Sequence, residues 1–555
     1  MYLGIDLGTS SVKVVVMDET FATLASSSSD FTVSNPQPLW SEQDPAQWWQ
    51  GTCVAMAELK AKHPQLLAQV KAMGLSGQQH GAVLLDKNNQ VLRPAILWND
   101  GRSMAECAEL EQRVPNIRQL VGARIVPGFT APKLLWVAKH EPDIFKQVTK
   151  VLLPKDYLRL LINGEFASDM SDASGTCWLN VAKREWSEEL LSACDLNLTH
   201  MPTVYEGSDS TGTVLPAVAR EWGIPATTIV AGGAGDNAAG AISVNVTEAG
   251  QGLLSLGTSG VYFIADDEYR ANPDQGVHTF AHCLPNRWHQ MNCHLSAASC
   301  LSWAAELVGE SVGDLIAKAE KKFGMDDAST KIPLGPPFSK GEVSKFPPLT
   351  KGEVSKSPPF AKGEVSRSPP LSKGEVSKFP PLTKGEVSKS PPFAKGGRGD
   401  LLFLPYLTGE RSPHNNPYAR GALIGLTPNT DSADMMQAVL EGVALNFAEG
   451  QAALYQAGVK INAVSVVGGG ARSLYWGKIL ASALQRELTY RKDREVGAAL
   501  GAARLAWLAV NGGDPAKVFP LSPVEEIVQP NPNLAAHYTK KLVTFKKAYQ
   551  ALFSG

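Results

Sequence analysis

One pattern constrains the fold more than any other because it occurs twice in the chain. LGIDLGTSSVKVVVMD spans residues 3–18 and GLLSLGTSGVYFIADD spans residues 252–267. Each copy runs from an apolar strand through Leu-Gly-Thr-Ser to a second apolar strand that ends in Asp, which predicts a β-hairpin with a Gly-Thr-Ser tip. One interpretation is that the two hairpins are unrelated turns, because Gly and Ser are common in turns. Four identical consecutive residues in matching apolar frames favour a duplicated domain instead.

The rest of the chain alternates between strand-like and helix-like segments. VKAMGLSG and TTIVAGG are short apolar runs typical of buried strands, whereas DPAQWWQGTCVAMAELKA and SADMMQAVLEGVALNFAEGQAALYQAG have helical periodicity. Such alternation predicts α/β domains with mostly parallel sheets.

A different kind of repetition fills residues 335–399. An eleven-residue phrase containing Lys-Gly-Glu-Val-Ser recurs five times with a Pro-Pro pair in each copy. Paired prolines exclude helix and central strand, so this insertion is predicted to be extended and disordered, partly polyproline II. A docking module for aromatic grooves is the alternative, but no copy has the P-x-x-P spacing. We expect the insertion to interrupt a function that it does not supply.

Bulk properties exclude several classes of function. The chain of 555 residues has a formal net charge of −2, which gives no electrostatic footprint for nucleic acid. No apolar run approaches the roughly 18 residues of a membrane span, and the first residues lack the features of a signal peptide. The seven cysteines form no CxxC pair, which favours free thiols. These properties predict a cytoplasmic protein with neither a membrane nor a nucleic-acid partner.

Both hairpin tips have the chemistry of a phosphate site. Glycine lets a phosphate approach the backbone, while N–H groups and the hydroxyls of Thr and Ser donate hydrogen bonds. The copies differ where Asp6 in the first corresponds to Ser255 in the second. A carboxylate beside phosphates requires a cation or water between them, so Asp6 is a candidate Mg²⁺ ligand. A turn-capping role is the alternative.

A second carboxylate follows a glycine-rich turn. TTIVAGGAGDNAAGAIS, residues 227–243, leads a strand through a bare turn to Asp236 and then into a helix of small residues. Asp at a helix start is commonly an N-cap. A bare turn beside the second hairpin also suits a carboxylate that takes a proton from an attacking hydroxyl and helps to place Mg²⁺.

Two further loops are candidates for ligand contacts. GLSGQQHGAVLLD, residues 74–86, ends a strand in amide and imidazole groups suited to a polyol, with a solvent-exposed loop as the alternative. GGGARS, residues 468–473, follows the apolar run INAVSVV and is a candidate nucleoside site. LWNDGR and LLPKDYL are polar insertions that we expect to line the same cleft.

A cluster of His and Cys residues resembles a zinc site only superficially. It comprises His278, His282, Cys283, His289, Cys293 and His294. The stretch reads as a hairpin turning at Pro285-Asn286, and it lacks the usual C-x2–4-C spacing. We therefore expect packed and hydrogen-bonded sheet residues.

Taken together, these motifs resemble the FGGY group of carbohydrate kinases, within the superfamily of sugar kinases, Hsp70 and actin. GFTAPKLLWVAKH (residues 128–140) and GALIGLTPNTDSADMMQAVLEG (residues 421–442) fit the two signatures of that group. PLWSEQDPAQWW, RPAILWNDGR, GEFASDMSDASGT, LSLGTSGVYF and FLPYLTGER are similar to stretches of its bacterial xylulokinases. The resemblance covers nearly the whole chain outside residues 335–399.

The resemblance implies two duplicated ribonuclease H-like domains around a cleft for ATP and sugar. The first would span residues 1–245 and the second residues 246–334 plus 400–555, with residues 335–399 inserted. It also implies an ATP- and Mg²⁺-dependent kinase that forms D-xylulose 5-phosphate, with a homodimer as one option for the assembly.

Individual roles follow from the same resemblance. Asp236 would be the general base, Asp6 would support Mg²⁺ together with Asp236, and the sugar would contact Gln79, His80 and Asn237. ATP would contact Gly8, Thr9, Ser10, Lys13, Gly257, Thr258, Ser259, Gly469 and Gly470.

Two positions depart from the subfamily pattern. Gln79 stands where the subfamily usually has Met, and the glycine turn before Asp236 is one residue longer. The alternatives are therefore another kinase of the group acting on ribulose, gluconate or glycerol, and a non-catalytic sensor of ATP and sugar. A chaperone-like ATPase of the superfamily is disfavoured by the polar sugar loops.

Overall fold

The computed structural model describes residues 1–324, 401–492 and 497–553. The predicted repeat insertion, residues 335–399, lies outside the described residues.

The strands are given in chain order. They are Tyr2–Leu7 (β1), Ser11–Met17 (β2), Thr23–Asp30 (β3), Glu42–Gln43 (β4), Ala72–Gly77 (β5), Val83–Leu85 (β6), Ala95–Ile96 (β7), Lys150–Leu152 (β8), Ala167–Asp169 (β9), Leu179–Asn180 (β10), Glu185–Trp186 (β11), Thr203–Tyr205 (β12), Ser210–Thr213 (β13), Ile229–Ala231 (β14), Ala234–Gly235 (β15), Gln251–Leu256 (β16), Gly260–Asp266 (β17), His278–Ala281 (β18), Trp288–His294 (β19), Leu402–Leu404 (β20), Ala422–Ile424 (β21), Ala463–Val467 (β22), Leu488–Arg491 (β23) and Val524–Val528 (β24).

The α-helices are given in the same way. They are Pro45–Lys62 (α1), Pro64–Leu67 (α2), Met104–Arg113 (α3), Ile117–Val121 (α4), Thr130–His140 (α5), Pro142–Phe145 (α6), Pro154–Asn163 (α7), Met170–Ala173 (α8), Glu188–Ser192 (α9), Pro216–Trp222 (α10), Asp236–Ser243 (α11), Ala298–Val308 (α12), Val312–Phe323 (α13), Ser432–Gln456 (α14), Leu474–Leu484 (α15), Ala498–Asn511 (α16), Pro515–Val518 (α17) and Pro532–Phe553 (α18).

The N-terminal half is built on one seven-stranded sheet. Its strand order is β13-β14-β5-β1-β2-β3, and β15 also pairs with β5. β1, β14 and β15 run parallel to β5, whereas β1-β2, β2-β3 and β13-β14 are antiparallel. On one face of this sheet, alternate residues of β1 and β2 pack into a core beneath α1, because successive side chains of a strand point to opposite faces.

The C-terminal half repeats this topology. Its sheet has the order β18-β19-β17-β16-β22-β23-β24, with β16-β22 and β22-β23 parallel and the other pairs antiparallel. The series β3-β2-β1-β5-β14-β13 and β19-β17-β16-β22-β23-β24 therefore share both order and strand direction. The predicted duplication of an α/β domain is confirmed.

The prediction of mostly parallel sheets is wrong. Only the central strands of each sheet are parallel. The reason lies in the repeated hairpin, which places two consecutive strands side by side in antiparallel orientation at the start of each half.

Two helices with small residues join the halves. α11 leaves the N-terminal sheet and α16 returns from the C-terminal half. The two helices pack on each other, and α16 also packs on β1 and β5. A Cβ atom on Gly501 would lie 1.8 Å from the carbonyl oxygen of Ala239, and one on Gly4 would lie 1.7 Å from that of Ala499. Only glycine permits this close backbone approach.

No helix in the described part of the chain is both long and apolar enough to cross a membrane.

Candidate active site

The first hairpin tip is held by side chains from β4 and from the loop after β7. Gly8 N–H donates to the carbonyl of Ser11 at 2.9 Å and closes the turn. Gln43 Nε2 donates to the carbonyl of Thr9 at 2.7 Å, and Trp98 Nε1 donates to the Thr9 hydroxyl oxygen at 2.9 Å. Trp98 belongs to LWNDGR, so this insertion contacts the first hairpin tip. Ser10 at the end of the turn is exposed to solvent.

The second tip is fixed through its backbone. The carbonyls of Gly257 and Thr258 each accept a hydrogen bond at 2.9 Å, from the amides of Ala298 and Ala297 at the start of α12. The side chains of Thr258 and Ser259 remain exposed. Both hairpins therefore present exposed hydroxyls at a tip whose backbone is already anchored.

The triple-glycine turn lies against the second hairpin. Gly468 has a φ of +90°, and a Cβ there would lie 2.9 Å from the carbonyl oxygen of Leu256. Gly470 packs against Leu256 and Trp476, whereas Gly469 is exposed. The residues that follow first form a 3₁₀ turn, Gly469–Arg472, before α15 begins at Leu474.

A cavity of about 870 Å³ lies next to this turn. Gly468 lines it from the C-terminal half and Lys13 from the N-terminal half, with Arg472 and Lys492 adding positive charge. Of the residues predicted for ATP, Lys13 is the one that lines this cavity. Cations and a bare glycine turn are features that suit a nucleotide.

Asp6 sits at the carboxyl end of β1 between two polar neighbours. It is level with Lys13 on β2 and with Ser76 on β5. Burial raises the pKa of Asp6, and the Ser76 hydroxyl and the Lys13 charge only partly offset that rise. Its Oδ1 atom has no hydrogen-bond partner within the described ranges. The alternative of a turn-capping residue does not hold, because Asp6 lies within the strand.

Asp236 is the first residue of α11, and the N-cap position is Gly235. The carboxylate accepts hydrogen bonds from Asn237, at 2.7 Å from the backbone amide and 2.9 Å from Nδ2. Burial raises the pKa of Asp236 to about 7, and the negative charge of Asp6 adds to the rise. The carboxyl is thus tuned to gain and lose a proton near neutral pH.

The backbone register explains why the two carboxylates are neighbours. Ser76 of β5 pairs with Asp6 on one side and with Ala234 of β15 on the other, two residues before Asp236. Because the three strands are parallel, their carboxyl ends meet at the same edge of the sheet.

The glycine turn before Asp236 is fixed by a buried arginine. Arg159 on α7 donates to the carbonyls of Ala231 at 2.6 Å and Gly232 at 2.5 Å. A Cβ on Gly232 or Gly233 would lie 2.1 Å from a carbonyl oxygen, so the extra glycine is packed tightly.

Ser171 connects this turn to the loop that carries Gln79 and His80. Its Oγ accepts a hydrogen bond from Gly235 N–H at 3.0 Å, and its carbonyl accepts one from Gln79 Nε2 at 3.2 Å. Ser171 Oγ in turn donates to Asp169 Oδ1 at 2.5 Å, and Lys155 Nζ lies 2.7 Å from Asp169 Oδ2.

Lys155 is enclosed by three carboxylates. Although burial disfavours its charged form, the aspartates at 156, 169 and 172 raise the pKa of Lys155. Lys155 and Asp156 belong to LLPKDYL, and both are fully buried. The expectation that this insertion lines the cleft is wrong, because its charges pair with each other behind the site.

Gln79 is buried and His80 is half-buried, so the loop that carries them is not a solvent-exposed one. Gln79 is 6% exposed, and its side chain packs against Gly235. His80 Nδ1 lies 2.9 Å from the carbonyl of Gly175, so Nδ1 carries the proton and Nε2 is left as an acceptor. Burial, helped by the charge of Lys133, lowers the pKa of His80 well below its usual value.

Sequence reasoning missed the residue that holds His80 in place. Lys133 Nζ donates to the carbonyls of His80 and Gly128, both at 2.8 Å, and Thr130 Oγ1 donates to the same His80 carbonyl at 3.1 Å. His80 has a φ of +68°. Burial lowers the pKa of Lys133 to about 7. The signal was a lone lysine inside the apolar run of GFTAPKLLW.

The His and Cys cluster is a packed part of the C-terminal sheet. β18 and β19 form the predicted antiparallel hairpin, and the ring of His289 stacks on Phe263 at 4.2 Å between centroids. In the described ranges no group of three or more His, Cys, Asp or Glu side chains could hold a metal ion.

The carboxylates fit Mg²⁺ in a different way. This ion usually takes one or two protein carboxylates and completes its shell with water and substrate phosphates. Asp6 has a buried oxygen without a partner among the described residues, and together with Asp236 it supplies that donor set.

Two sheets of one topology, each opening with a Gly-Thr-Ser hairpin, define the class of sugar kinases, Hsp70 and actin. Comparison with known proteins narrows this class. Residues 1–243 match the N-terminal domain, and residues 252–510 the C-terminal domain, of the FGGY family of carbohydrate kinases.

Curated relatives match the chain over its full length. It is 46% identical to the xylulose kinase of Escherichia coli (strain K12), with 100% of this chain and 99% of that protein covered. The xylulose kinase of Klebsiella pneumoniae is 44% identical over the same shares of both chains. A crystal structure of a kinase from Brucella ovis, named a "xyloylose kinase", superimposes with a TM-score of 0.83 at 40% identity, covering 100% of this chain and 99% of that one. The chain belongs to the FGGY family of carbohydrate kinases, and it is an ATP-dependent enzyme.

Proposed function

We infer that this protein transfers the γ-phosphoryl group of ATP to the C5 hydroxyl of D-xylulose, giving D-xylulose 5-phosphate in xylose catabolism. The observation that carries the proposal is the Asp236 carboxyl, which has a pKa of about 7 beside Asp6 at the sheet edge shared with Gln79. Full-length relatives named xylulose kinase support the choice of sugar.

The reaction follows from the positions of these residues. Asp236 accepts the proton of the C5 hydroxyl as its oxygen bonds to the γ-phosphorus, and the bond between that phosphorus and the β–γ bridging oxygen breaks to release ADP. Gln79, His80 and Asn237 orient the sugar. The N–H groups of the two hairpin tips, at Gly8, Thr9, Ser10 and at Gly257, Thr258, Ser259, bind the phosphates, while Gly469 and Gly470 flank the adenosine.

Mg²⁺ is part of this proposal. It would be held by Asp6 and Asp236, and when bound it neutralises phosphate charge. Lys13, directly across from Asp6 on β2, adds a second positive charge on the phosphate side.

The assignment is tested with a substrate panel in an assay of ADP formation. D-xylulose, D-ribulose, gluconate and glycerol separate the activities of the family, and Gln79 is the reason to include them. D-xylulose should give the highest kcat/KM, and an Asp236→Ala variant should lose turnover by at least about a thousandfold while still binding ATP. A different preferred sugar, or turnover that survives the substitution, contradicts the proposal.

Further parts of the proposal concern organisation. The kinase domains would span residues 1–245 and residues 246–334 plus 400–555, the protein would act in the cytoplasm as a homodimer, and no membrane or nucleic acid would be needed. Light scattering of the purified protein tests the dimer. Deletion of residues 336–397 should leave kcat and sugar preference unchanged if the insertion supplies no part of the site.

A further inference from the structure

Arg411 is held rigidly between two anchored neighbours in the C-terminal half. Glu410 Oε1 accepts hydrogen bonds from the amides of Leu295 at 3.2 Å and Arg411 at 2.7 Å. Ser412 N–H donates to the carbonyl of Cys293 at 3.0 Å, and Ser412 Oγ accepts from the Cys293 amide at 3.0 Å. Glu410 and Ser412 are both buried, so the backbone around Arg411 is tied to the end of β19.

The guanidinium of Arg411 projects toward loops of the N-terminal half. Its Nη2 atom lies 3.9 Å from the position that a Cβ on Gly128 would take, beside the loop that carries Trp98. Arg411 is also near the Cys293 thiol and close enough to His80 and His278 for its charge to lower their pKa values further, in addition to burial.

In the described part of the chain, Arg411 has no acidic partner, unlike Arg102 and Arg184. Arg102 pairs with Asp100 and Glu42, and Arg184 pairs with Glu206. Among the described residues, no carboxylate lies within the 4.0 Å ion-pair distance of the Arg411 guanidinium. Apart from a hydrogen bond to the weakly accepting Cys293 thiol, the N–H donors of this half-buried guanidinium are therefore available to a ligand.

The order of Asp236, Gln79 and His80 in the proposed sugar site indicates which part of a sugar would reach Arg411. Gln79 packs against Gly235, next to Asp236, and His80 comes one residue further on. A sugar with its reacting hydroxyl at Asp236 therefore extends past Gln79 toward His80 and Arg411. A 2-ketopentose closes its five-membered ring through the C5 oxygen, so a molecule with a free C5 hydroxyl is the open chain with a carbonyl at C2.

We propose that Arg411 is a substrate-binding residue that donates hydrogen bonds to the carbonyl end of the open-chain ketose. The planar pair of N–H groups matches a carbonyl oxygen and the adjacent C1 hydroxyl. Because Arg411 belongs to the C-terminal half while Gln79 and His80 belong to the N-terminal half, both halves contribute to sugar recognition. This inference rests on the proposed function for its choice of sugar.

The test measures binding of D-xylulose and ATP to the full-length protein by calorimetry, together with steady-state kinetics. Arg411→Met removes the donors at similar length, and Arg411→Lys keeps the charge without the planar fork. The matched control is Arg420→Met, since Arg420 is exposed and, within the part of the chain that the structure describes, donates to the carbonyls of Pro417 and Ala419 in its own turn.

We expect Arg411→Met to weaken D-xylulose binding by about 10- to 100-fold, the range for lost hydrogen bonds to a charged group. The Kd of ATP should change by less than about twofold, and Arg411→Lys should recover only part of the loss. The preference for D-xylulose over xylitol, which has a hydroxyl at C2, should fall by about tenfold. Arg420→Met should behave as the wild type.

Three results overturn the inference. They are unchanged D-xylulose binding in both Arg411 variants, a loss that falls on ATP instead, and an unchanged ratio between D-xylulose and xylitol. If Arg411→Met does not fold, the Kd of D-xylulose for Arg411→Lys is the measurement that tests the inference. Failure of the wild type to phosphorylate D-xylulose would refute the proposed function, whereas an active wild type with indifferent variants refutes only the role of Arg411.

Discussion

The amide of Gly235 donates a hydrogen bond of 3.0 Å to the hydroxyl oxygen of Ser171. Gly235 immediately precedes Asp236, and the carbonyl of Ser171 accepts a hydrogen bond from Gln79. One serine therefore joins the backbone of the proposed base to the side chain of a proposed sugar ligand. Behind it, Asp169 and Lys155 form a fully buried ion pair that fixes Ser171.

Ser171→Ala should lower kcat through a change in the position of Asp236 rather than through a loss of folding stability. The substitution leaves the buried amide of Gly235 without its acceptor and frees the backbone next to Asp236, so we expect kcat to fall by about tenfold to a hundredfold. The KM for ATP should be unchanged, because Ser171 is not among the residues proposed to bind ATP. Ser187→Ala is the control, since the Ser187 side chain caps α9 by accepting a hydrogen bond from the amide of Leu190. Equal kcat values for both variants would contradict the positioning role of Ser171.

The pH profile of kcat/KM for the sugar should report the pKa of Asp236. The base acts in its ionised form, so the rate should rise with pH and level off above about pH 7. Asp6→Asn removes a neighbouring negative charge, and the midpoint of the residual activity should move to lower pH by about one unit. Rates are measured by product formation from about pH 5 to about pH 9. A midpoint that does not move in Asp6→Asn would show that the two carboxylates are uncoupled.

Asp236→Asn should stabilise the protein above neutral pH. The unfolded chain ionises this carboxyl at its ordinary pKa, whereas the folded protein keeps it protonated up to about pH 7. Stability is therefore lost as pH rises through that interval. The amide avoids this loss, so we expect a gain of about 1–4 kcal/mol near pH 8 and almost none near pH 4. Thermal unfolding at both pH values tests this. The exposed Asp143→Asn is the control, and an equal effect at both pH values would refute the explanation.

The contact between α11 and α16 should tolerate an added methyl group at Gly240 but not at Gly501. Gly501→Ala would place a Cβ 1.8 Å from the carbonyl oxygen of Ala239, so the helices must separate and the free energy of unfolding should fall by about 2 kcal/mol or more. Gly240 on the facing helix has nothing within 4 Å of its Cβ position, and Gly240→Ala should keep or raise stability. Denaturant unfolding of both variants measures the change in the free energy of unfolding. Similar decreases in the two variants would argue against close helix packing as the cause.

Much of this architecture could be predicted from local patterns. The two Gly-Thr-Ser hairpins, the helix that begins at Asp236 and the long helix Ser432–Gln456 all form where the sequence places them. These elements depend on turn chemistry and periodicity, which are properties of neighbouring residues. The sheet directions were mispredicted because pairing depends on which distant strand lies alongside.

The sequence by itself determined that the chain is a duplicated α/β protein with a Gly-Thr-Ser hairpin in each half, because identical residues in matching apolar frames impose the same local structure twice. It also determined the candidate carboxylates Asp6 and Asp236. Only the tertiary structure decided that β5 lies between the strands carrying them, that Lys133 holds His80, and that Lys155 is buried rather than exposed to the cleft. Those relationships depend on long-range packing and on where buried charges find partners, and neither is written in the residues adjacent to them in the chain.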